Sequence, residues 1–159
     1  MVLKRLFTPG PTQVPWQVLH KMAEPLIHHR TEEFRAIHRE TVENLQYVYR
    51  TKNPVLILTA SGSGAMEAAV VNLTTPGEKA LVTVLGKFSE RWLELGQAYG
   101  LDLVVLETKW GDSTQPERVE EALKANPDIR IVLTTHCETS TGALQDVKTL
   151  SRIAHEHGA

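Results

Sequence analysis

The sequence predicts an α/β fold with three layers, in which helices cover both faces of a mostly parallel sheet. Four short apolar runs, rich in Val, Leu and Ile, alternate along the chain with longer segments of helical spacing. These runs do not alternate with polar residues, and continuous apolar runs are typical of strands buried on both faces of a parallel sheet. Strands that alternate with helices in this way indicate an α/β architecture.

The first fifty residues are predicted to hold two helices. Residues 7–12 contain two prolines and a glycine, which prevent regular structure. A short helix is expected from Pro15 to about Pro25, because proline favours the first helical turn. Residues 31–50 have apolar side chains at helical spacing with polar side chains between them, which predicts an amphipathic helix. The apolar positions are Phe34, Ile37, Val42, Leu45 and Val48.

Strands and helices alternate in the remainder of the chain. The spacing of Thr114 and Glu117 is that of a capping box, and it predicts a helix that ends before Asn126. The other predicted helices are residues 65–71, 88–99 and 147–157. The predicted strands are residues 54–59, 80–85, 102–106 and 129–135.

Composition and charge exclude several classes of protein. The chain has 159 residues, of which 42% are hydrophobic, and 17 basic and 19 acidic residues give a formal net charge of -2. Disorder is not expected at this hydrophobic content, and this charge offers no attraction for nucleic acid or an anionic membrane. The longest apolar run, residues 55–58, is too short to span a bilayer, and the N-terminus lacks the apolar stretch of a secretion signal. The single cysteine, Cys137, excludes an intramolecular disulfide, so a cytoplasmic protein is expected.

Three polar segments follow predicted strands and are the candidate binding loops. They are residues 61–64 (Ser-Gly-Ser-Gly), 86–89 (Gly-Lys-Phe-Ser) and 136–142 (His-Cys-Glu-Thr-Ser-Thr-Gly). Ligands of open α/β sheets bind beyond the carboxyl ends of the strands, where these segments lie. At the first segment, hydroxyl and backbone N–H groups before a helix that begins near Gly64 favour a phosphate. The segment matches neither a Walker A loop nor a dinucleotide fingerprint, and a tight turn is the alternative.

The third segment has other interpretations. It can be a hydrogen-bonded turn in which Thr139 or Ser140 caps nearby backbone. A nucleophile and base pair of Cys137 and His136 is disfavoured, because adjacent residues on a strand point to opposite faces. Cys137 is instead expected to be an inert, partly buried thiol. No metal site is expected, because the histidine pairs at 28/29 and 155/157 lack the spacing of a zinc-binding helix.

Five landmarks along the chain together point to a family. They are TPGP at residues 8–11, HHRTEEF at 28–34, SGSGAMEA at 61–68, GKFSERW at 86–92 and HCETSTG at 136–142. In this order they resemble the N-terminal part of a class V, fold-type I pyridoxal-phosphate (PLP) aminotransferase of the alanine–glyoxylate or serine–glyoxylate type. The resemblance covers nearly the whole chain. It implies PLP as cofactor and the large domain of fold type I, incomplete at its C-terminal end.

The resemblance implies roles for individual residues in the cofactor site. Phe88 would stack on the pyridine ring, at a position where many relatives carry Trp. Thr139 would lie beside the ring and its 3'-oxygen. The cofactor phosphate would be held by Ser61, Gly62 and Ser63.

The resemblance also divides the chain and implies a partner. Residues 1–30 would form an N-terminal arm with a short helix, and residues 31–159 the first part of the PLP-binding large domain. Gly10, in the arm, would approach the substrate. The full-length protein would be a homodimer. The residues expected near its interface are His28, His29 and Arg30.

Two catalytic groups of the family are expected beyond residue 159. They are the lysine that forms a Schiff base with PLP and the aspartate that pairs with the pyridine nitrogen. None of the chain's own lysines stands in the family's Ser-x-x-Lys setting, and Lys87 belongs to the GKFSERW segment. The chain also stops at a helix terminus, where a further strand is expected. We therefore expect a fragment that has no catalytic residue of its own and is inactive alone.

For the full-length protein, the resemblance implies transfer of an amino group from alanine, serine or a similar donor to glyoxylate or another 2-oxo acid. Small amino acids and 2-oxo acids would be its substrates. Two alternatives remain open. One is a non-catalytic phosphate- or nucleotide-binding α/β module, and the other is a PLP lyase or desulfurase of the same fold.

Overall fold

A computed structural model describes residues 5–159, which form two compact units. One unit ends at Leu58, and the other covers Thr59–Ala159. The first unit holds helices α1 (Trp16–Met22) and α2 (Glu32–Tyr49), both of which the sequence predicts. The Thr31 hydroxyl begins α2 by accepting a hydrogen bond from the Phe34 N–H at 3.3 Å. Arg50, in the left-handed conformation with φ of 51°, ends it.

The strand predicted at residues 54–59 is wrong. These residues pair with no strand in the described part of the chain. Three of their apolar side chains are exposed to solvent, with exposed fractions of 82% at Leu56, 53% at Ile57 and 49% at Leu58. An apolar run predicts that a segment is suited to burial, but a strand also needs a neighbour for its backbone N–H and C=O groups. Nothing in the run itself identifies that neighbour.

The second unit is built on a three-stranded parallel sheet in the order β2–β1–β3. The strands are β1 (Lys79–Val84), β2 (Asp102–Glu107) and β3 (Ile131–Leu133). Val82, in the central strand, lies opposite Val105 on one side and Leu133 on the other. The sequence predicts all three strands, although β3 is shorter than residues 129–135.

Helices cover both faces of this sheet, as the sequence predicts. On one face, Val70 of α3 (Gly62–Leu73) and Trp92 of α4 (Lys87–Ala98) pack with side chains of β1 and β2. On the other face, α5 (Pro116–Ala125) and α6 (Val147–Glu156) pack against Leu81. The buried residues of this second cluster are Leu81, Val119, Leu123, Ile129, Leu150 and Ile153. Because alternate residues of β1 serve opposite faces, the continuous apolar run is explained by burial on both sides.

A short hairpin follows β3 and was not predicted. It consists of β4 (Cys137–Glu138) and β5 (Ala143–Leu144), which pair antiparallel. Gly142, with φ of 77°, supplies the positive φ of the turn between them. Two-residue strands show no recognisable periodicity, so the sequence pattern indicates only a polar loop.

The capping box predicted at Thr114 is also wrong. Helix α5 begins at Pro116, and its N-cap, Gln115, makes no side-chain capping hydrogen bond. The Thr114 hydroxyl is buried and lies 2.9 Å from that of Thr108. The Thr114 N–H donates to Oε1 of the buried Gln145 at 3.0 Å. Thr114 therefore makes its hydrogen bonds in the protein interior and does not cap the helix.

Gln145 is the centre of this buried polar network. Its Nε2 donates to the hydroxyl of Thr83 at 3.0 Å and to that of Thr134 at 2.7 Å. The two hydroxyls also lie 2.9 Å from each other. One side chain thus joins β1, the segment after β3 and the loop before α5. These hydrogen bonds hold the carboxyl edge of the sheet, where the candidate loops begin.

Candidate cofactor site

Two of the candidate loops meet at the carboxyl edge of the sheet. Residues 86–89 follow β1, and the β4–β5 hairpin follows β3. Because β1 and β3 are parallel neighbours, their carboxyl ends lie side by side. The structure brings Phe88 and Thr139 into neighbouring segments in this way. Among the described residues, no hydrogen bond joins residues 61–63 to either of these loops.

Residues 61–63 form the N-terminus of α3. The helix begins at Gly62, earlier than the start predicted at residues 64–65, because the Ser61 hydroxyl accepts a hydrogen bond from the Gly64 N–H at 3.3 Å. Ser61, Gly62 and Ser63 are all exposed. A side-chain carbon placed on Gly62 would have no atom within 4 Å, so the space beside this backbone is open. The first N–H groups of a helix lack partners within the helix, and together with the helix dipole they suit an anion.

Phe88 lies in the first turn of α4 with its ring half out of the protein. Its exposed fraction is 53%, whereas Trp92, one turn later, packs against the core. About half of the Phe88 residue is therefore left free of contacts within the fold. A flat apolar surface beside an open loop can stack on an aromatic ring.

Glu138 is a charged residue without exposed surface, and it joins the two loops. Its Oε2 accepts hydrogen bonds from the N–H groups of Phe88 at 3.1 Å and Ser89 at 2.8 Å. Its Oε1 accepts from the Ser140 hydroxyl at 2.6 Å and the Ser140 N–H at 3.2 Å. The buried carboxylate is thus hydrogen-bonded on both oxygens, as a buried charge must be.

The pKa of Glu138 lies below its ordinary value despite this burial. Desolvation is the largest single influence and raises the pKa. The Ser140 hydroxyl and the N–H groups of Ser89, Phe88 and Ser140 lower it, and together they outweigh desolvation. The carboxylate is therefore ionised at neutral pH, next to the positive end of α4.

Thr139 is exposed in the turn of the hairpin, directly after Glu138. Ser140 completes the contact between the loops, because its hydroxyl accepts a hydrogen bond from the Lys87 N–H at 2.9 Å while it donates to Glu138. The prediction that Thr139 or Ser140 takes part in a hydrogen-bonded turn is confirmed for Ser140. Thr139 itself is exposed, in the hairpin next to the loop of Phe88.

Comparison with known proteins identifies the family. The family model described as "Aminotransferase class-V" matches residues 5–159. The chain belongs to the class-V aminotransferase family. The resemblance of its five landmarks is thereby confirmed.

Relatives and solved structures agree with this assignment. The chain is 41% identical over 155 residues to a protein named soluble hydrogenase 42 kDa subunit of Anabaena cylindrica, with 96% of this chain and 40% of that protein covered. It is 37% identical to a serine–glyoxylate aminotransferase of Methylorubrum extorquens, with 89% of this chain and 36% of that protein covered. A crystal structure of an aspartate aminotransferase of subgroup IV from Thermus thermophilus superposes with a TM-score of 0.90 at 42% identity. The match covers 97% of this chain and 43% of that one.

This class-V aminotransferase chain thus spans about 40% of the length of the proteins it matches. The fold agrees with that of fold-type I PLP transferases, as the sequence predicts. The residues at the N-terminus of α3 fit the phosphate of PLP, because open space, exposed hydroxyls and unpaired helical N–H groups coincide there.

The lysine that lies within residues 86–89 is engaged in an ion pair at the surface. Lys87 Nζ forms an exposed ion pair with Glu90 at 2.8 Å. The hydrogen bond to Glu90, followed by the charge of Glu90, raises the pKa of Lys87 and favours its protonated form. A protonated amine is not a nucleophile.

The expectation of a partly buried Cys137 is wrong, because this residue is exposed at the start of the hairpin. Its neighbour in β4, Glu138, is buried, because adjacent residues of a strand point to opposite sides. Residues 5–159 contain no cluster of three or more His, Cys, Asp or Glu side chains placed to hold a metal ion. Within the same residues, no helix is both long enough and apolar enough to cross a membrane.

The remaining predicted residues of this class-V aminotransferase lie in the first unit. Gly10 is exposed in the segment before α1, where no atom lies within 4 Å of a side-chain carbon placed on it. His28, His29 and Arg30 are exposed before α2. The two imidazole rings stack at 4.5 Å, and the Arg30 N–H donates to Nδ1 of His28 at 3.2 Å. Roles of these residues toward the substrate or a second subunit stay predictions.

Sequence reasoning placed Glu138 and Gly86 in the candidate loops but assigned no role to either residue. A side-chain carbon on Gly86 would lie 2.5 Å from Cγ of Glu138 and 2.7 Å from the Ser140 hydroxyl. The signal available was a single glutamate among small and hydroxyl residues, directly after a buried strand. Its burial could not be predicted, because glutamate is almost always exposed unless it is paired.

Proposed function

We propose that this chain supplies the phosphate and ring contacts of a PLP-dependent aminotransferase. In the full-length protein, an amino group would pass from alanine, serine or a similar donor to glyoxylate or another 2-oxo acid. The observation that carries the proposal is the exposed N-terminus of α3, where Ser61, Gly62 and Ser63 present hydroxyl and N–H groups to open space. The family and the serine–glyoxylate relative support the reaction class.

Each contact has a separate physical task. The hydroxyl and N–H groups at α3 donate hydrogen bonds to a phosphate dianion and anchor one end of the cofactor. The half-exposed Phe88 ring offers an apolar face to the pyridine ring and excludes water from that side. The Thr139 hydroxyl can donate to the phenolic oxygen. PLP, when bound, acts as an electron sink for the reacting carbon of the substrate.

The catalytic amine and the acid partner of the pyridine nitrogen would come from residues after 159. Lys87 lies in one of the two loops, and its surface ion pair with Glu90 favours the protonated form, which is not nucleophilic. We therefore also propose that residues 1–159 alone are inactive. We further propose a homodimer in the cytoplasm, with His28, His29 and Arg30 near its interface and Gly10 near the substrate.

Two measurements test this function. The full-length protein should bind PLP and convert alanine or serine with glyoxylate into the corresponding 2-oxo acid and glycine. Residues 1–159 alone, incubated with PLP and reduced with borohydride, should show no stoichiometric label on one lysine. Failure of the full-length protein to bind PLP would refute the proposal. Labelling of a single lysine in the short chain, with turnover, would refute the assignment of the catalytic amine to later residues.

A further inference from the structure

The carboxylate of Glu138 contacts the segments of both residues that the proposed function assigns to the cofactor ring. Glu138 directly precedes Thr139 in the chain, and it accepts a hydrogen bond from the backbone N–H of Phe88. Phe88 and Glu138 are 50 residues apart in sequence. A single buried side chain therefore relates two otherwise separate loops.

This contact caps α4 from outside the helix. The N-cap residue, Gly86, has no side chain, and the Ser89 hydroxyl accepts only from N–H groups that precede the helix, those of Leu85 and Gly86, both at 2.9 Å. The Glu138 carboxylate instead accepts from N–H groups of the helix itself, those of Phe88 and Ser89. Since it approaches from the hairpin, it fixes where the first turn of α4 lies relative to that hairpin.

The surroundings are shaped to admit this carboxylate. The position of Gly86 has no room for a side chain, since a carbon there would lie 2.5 Å from Cγ and 2.7 Å from Cδ of Glu138. A second hydrogen bond joins the same two segments, in addition to that between Phe88 and Glu138. The Lys87 N–H donates it to the Ser140 hydroxyl at 2.9 Å. Ser140 in turn donates to Oε1 of Glu138 at 2.6 Å. The two loops are thus held by a connected set of hydrogen bonds that has Glu138 at its centre.

We propose that Glu138 is a positioning residue of the cofactor site. It touches neither substrate nor cofactor, but it sets the distance between the Phe88 ring and the Thr139 hydroxyl so that both reach the same PLP ring. The inference rests on the proposed function for the identity of the ligand. The hydrogen bonds from which it is argued join residues of this chain to one another.

Glu138→Gln in the full-length protein is the direct test. The amide has nearly the same shape, but its NH₂ group must face either the Ser140 N–H or the N–H groups of Phe88 and Ser89, and two donors repel. In the cofactor-free protein, hydrogen exchange at the Phe88 and Ser89 amides should become at least tenfold faster. The dissociation constant for PLP should rise about tenfold, in line with the loss of charge-assisted hydrogen bonds. The absorption maximum of the bound cofactor should also shift.

Glu90→Gln is the matched control. It removes a negative charge at the first turn of α4, but Glu90 pairs with Lys87 at the surface, and within residues 5–159 no hydrogen bond joins it to the hairpin. Exchange at the Phe88 and Ser89 amides, the PLP dissociation constant and the absorption maximum should match those of the wild type. If Glu90→Gln reproduces the changes of Glu138→Gln, the effect is one of helix charge, and the inference is overturned.

Other outcomes of these experiments also test the role of Glu138. If Glu138→Gln lowers the melting temperature but leaves the PLP dissociation constant and absorption maximum unchanged well below that temperature, Glu138 is only structural. If wild type does not bind PLP, the proposed function fails, whereas unchanged PLP binding by Glu138→Gln overturns this inference alone. Should Glu138→Gln not fold, Ser140→Ala replaces it. That variant breaks the Lys87–Ser140–Glu138 connection from the exposed side, and its PLP affinity and amide exchange must change in the same direction.

Discussion

The Tyr99 hydroxyl donates a hydrogen bond to the carboxylate of Glu67, and it thereby connects the residue after α4 with the middle of α3. The two helices carry different parts of the proposed site. Residues 61–63 lie at the N-terminus of α3, and Phe88 lies in the first turn of α4. This contact lies away from the N-termini of α3 and α4, but it contributes to the placement of the two helices relative to each other.

The first prediction concerns the ionisation of Tyr99. The hydrogen bond to Glu67 is the largest of the influences that raise the Tyr99 pKa, followed by desolvation and the negative charge of Glu67. Because the folded state holds the proton more tightly, the stabilisation is complete below the ordinary tyrosine pKa and is lost as the pH rises through the raised value. Glu67→Gln should lower the Tyr99 pKa toward its ordinary value. NMR titration of labelled tyrosine, with Tyr99→Phe to assign the signal, measures this, and an unchanged midpoint in Glu67→Gln would contradict it.

The second prediction concerns the phosphate contacts. Ser61→Ala combined with Ser63→Ala should weaken PLP affinity at least tenfold, since each charge-assisted hydrogen bond contributes about 1.5–3 kcal/mol. Fluorescence titration of the full-length protein with PLP measures the loss.

Ser61 also caps α3, so the control must remove a cap elsewhere. Asp146 caps α6 by accepting a hydrogen bond from the Thr149 N–H at 3.1 Å. Asp146→Ala should therefore lose about 0.5–2 kcal/mol of stability and retain its affinity for PLP. Equal affinity of the double serine variant and the wild type would remove residues 61 and 63 from the phosphate site.

The third prediction concerns the Phe88 ring. Phe88→Ala should leave the melting temperature nearly unchanged, because about half of the side chain is already exposed. PLP affinity should fall and the absorbance of the bound cofactor should shift. Trp92→Ala is the comparison, since Trp92 packs in the core one turn later and its removal should cost more stability than that of Phe88. A large loss of stability in Phe88→Ala with normal PLP binding would show that the ring belongs to the core.

The fourth prediction uses two glycines with opposite surroundings. Gly86→Ala places a carbon against the Glu138 side chain and should lower stability by about 1–3 kcal/mol. The cause is the close contact and not the backbone, because the φ of Gly86 is 168° and any residue can adopt it. Gly62→Ala has open space around the new carbon and should retain wild-type stability or gain slightly. Urea denaturation of the cofactor-free variants compares them, and similar free energies of unfolding for the two would rule out the contact as the cause.

The sheet and its covering helices could be predicted because burial on both faces imposes an apolar run, as in β1, and a helical face imposes its own spacing, as in α2. Residues 54–59 satisfied the first condition but lack a partner strand in the described chain, and pairing between distant segments leaves no local pattern. Thr114 had the spacing of a cap, yet Gln145, 31 residues later, engages its backbone.

The candidate loops could be located because they follow strands, but their mutual arrangement could not. The hydrogen bonds of Glu138 with Phe88 join residues that no periodicity relates. The exposure of Cys137 likewise follows from the hairpin, whose strands are too short to be recognised in the sequence. The sequence pattern therefore does not reveal which single polar residues depart from the usual trend of burial, and the fold must be known first.

The hydrogen bonds of the Gln145 amide limit which residues can replace it. Its oxygen must accept from Thr114 while its nitrogen donates to Thr83 and Thr134. Glutamate would supply no donor at neutral pH, and a hydrocarbon would leave the Thr114 N–H buried and unpaired. In a saturation scan scored by growth, position 145 should therefore tolerate as few substitutions as a catalytic position does, although its amide is hydrogen-bonded within the protein. Intolerance at this edge of the sheet cannot by itself separate residues that assemble the site from residues that perform chemistry in it.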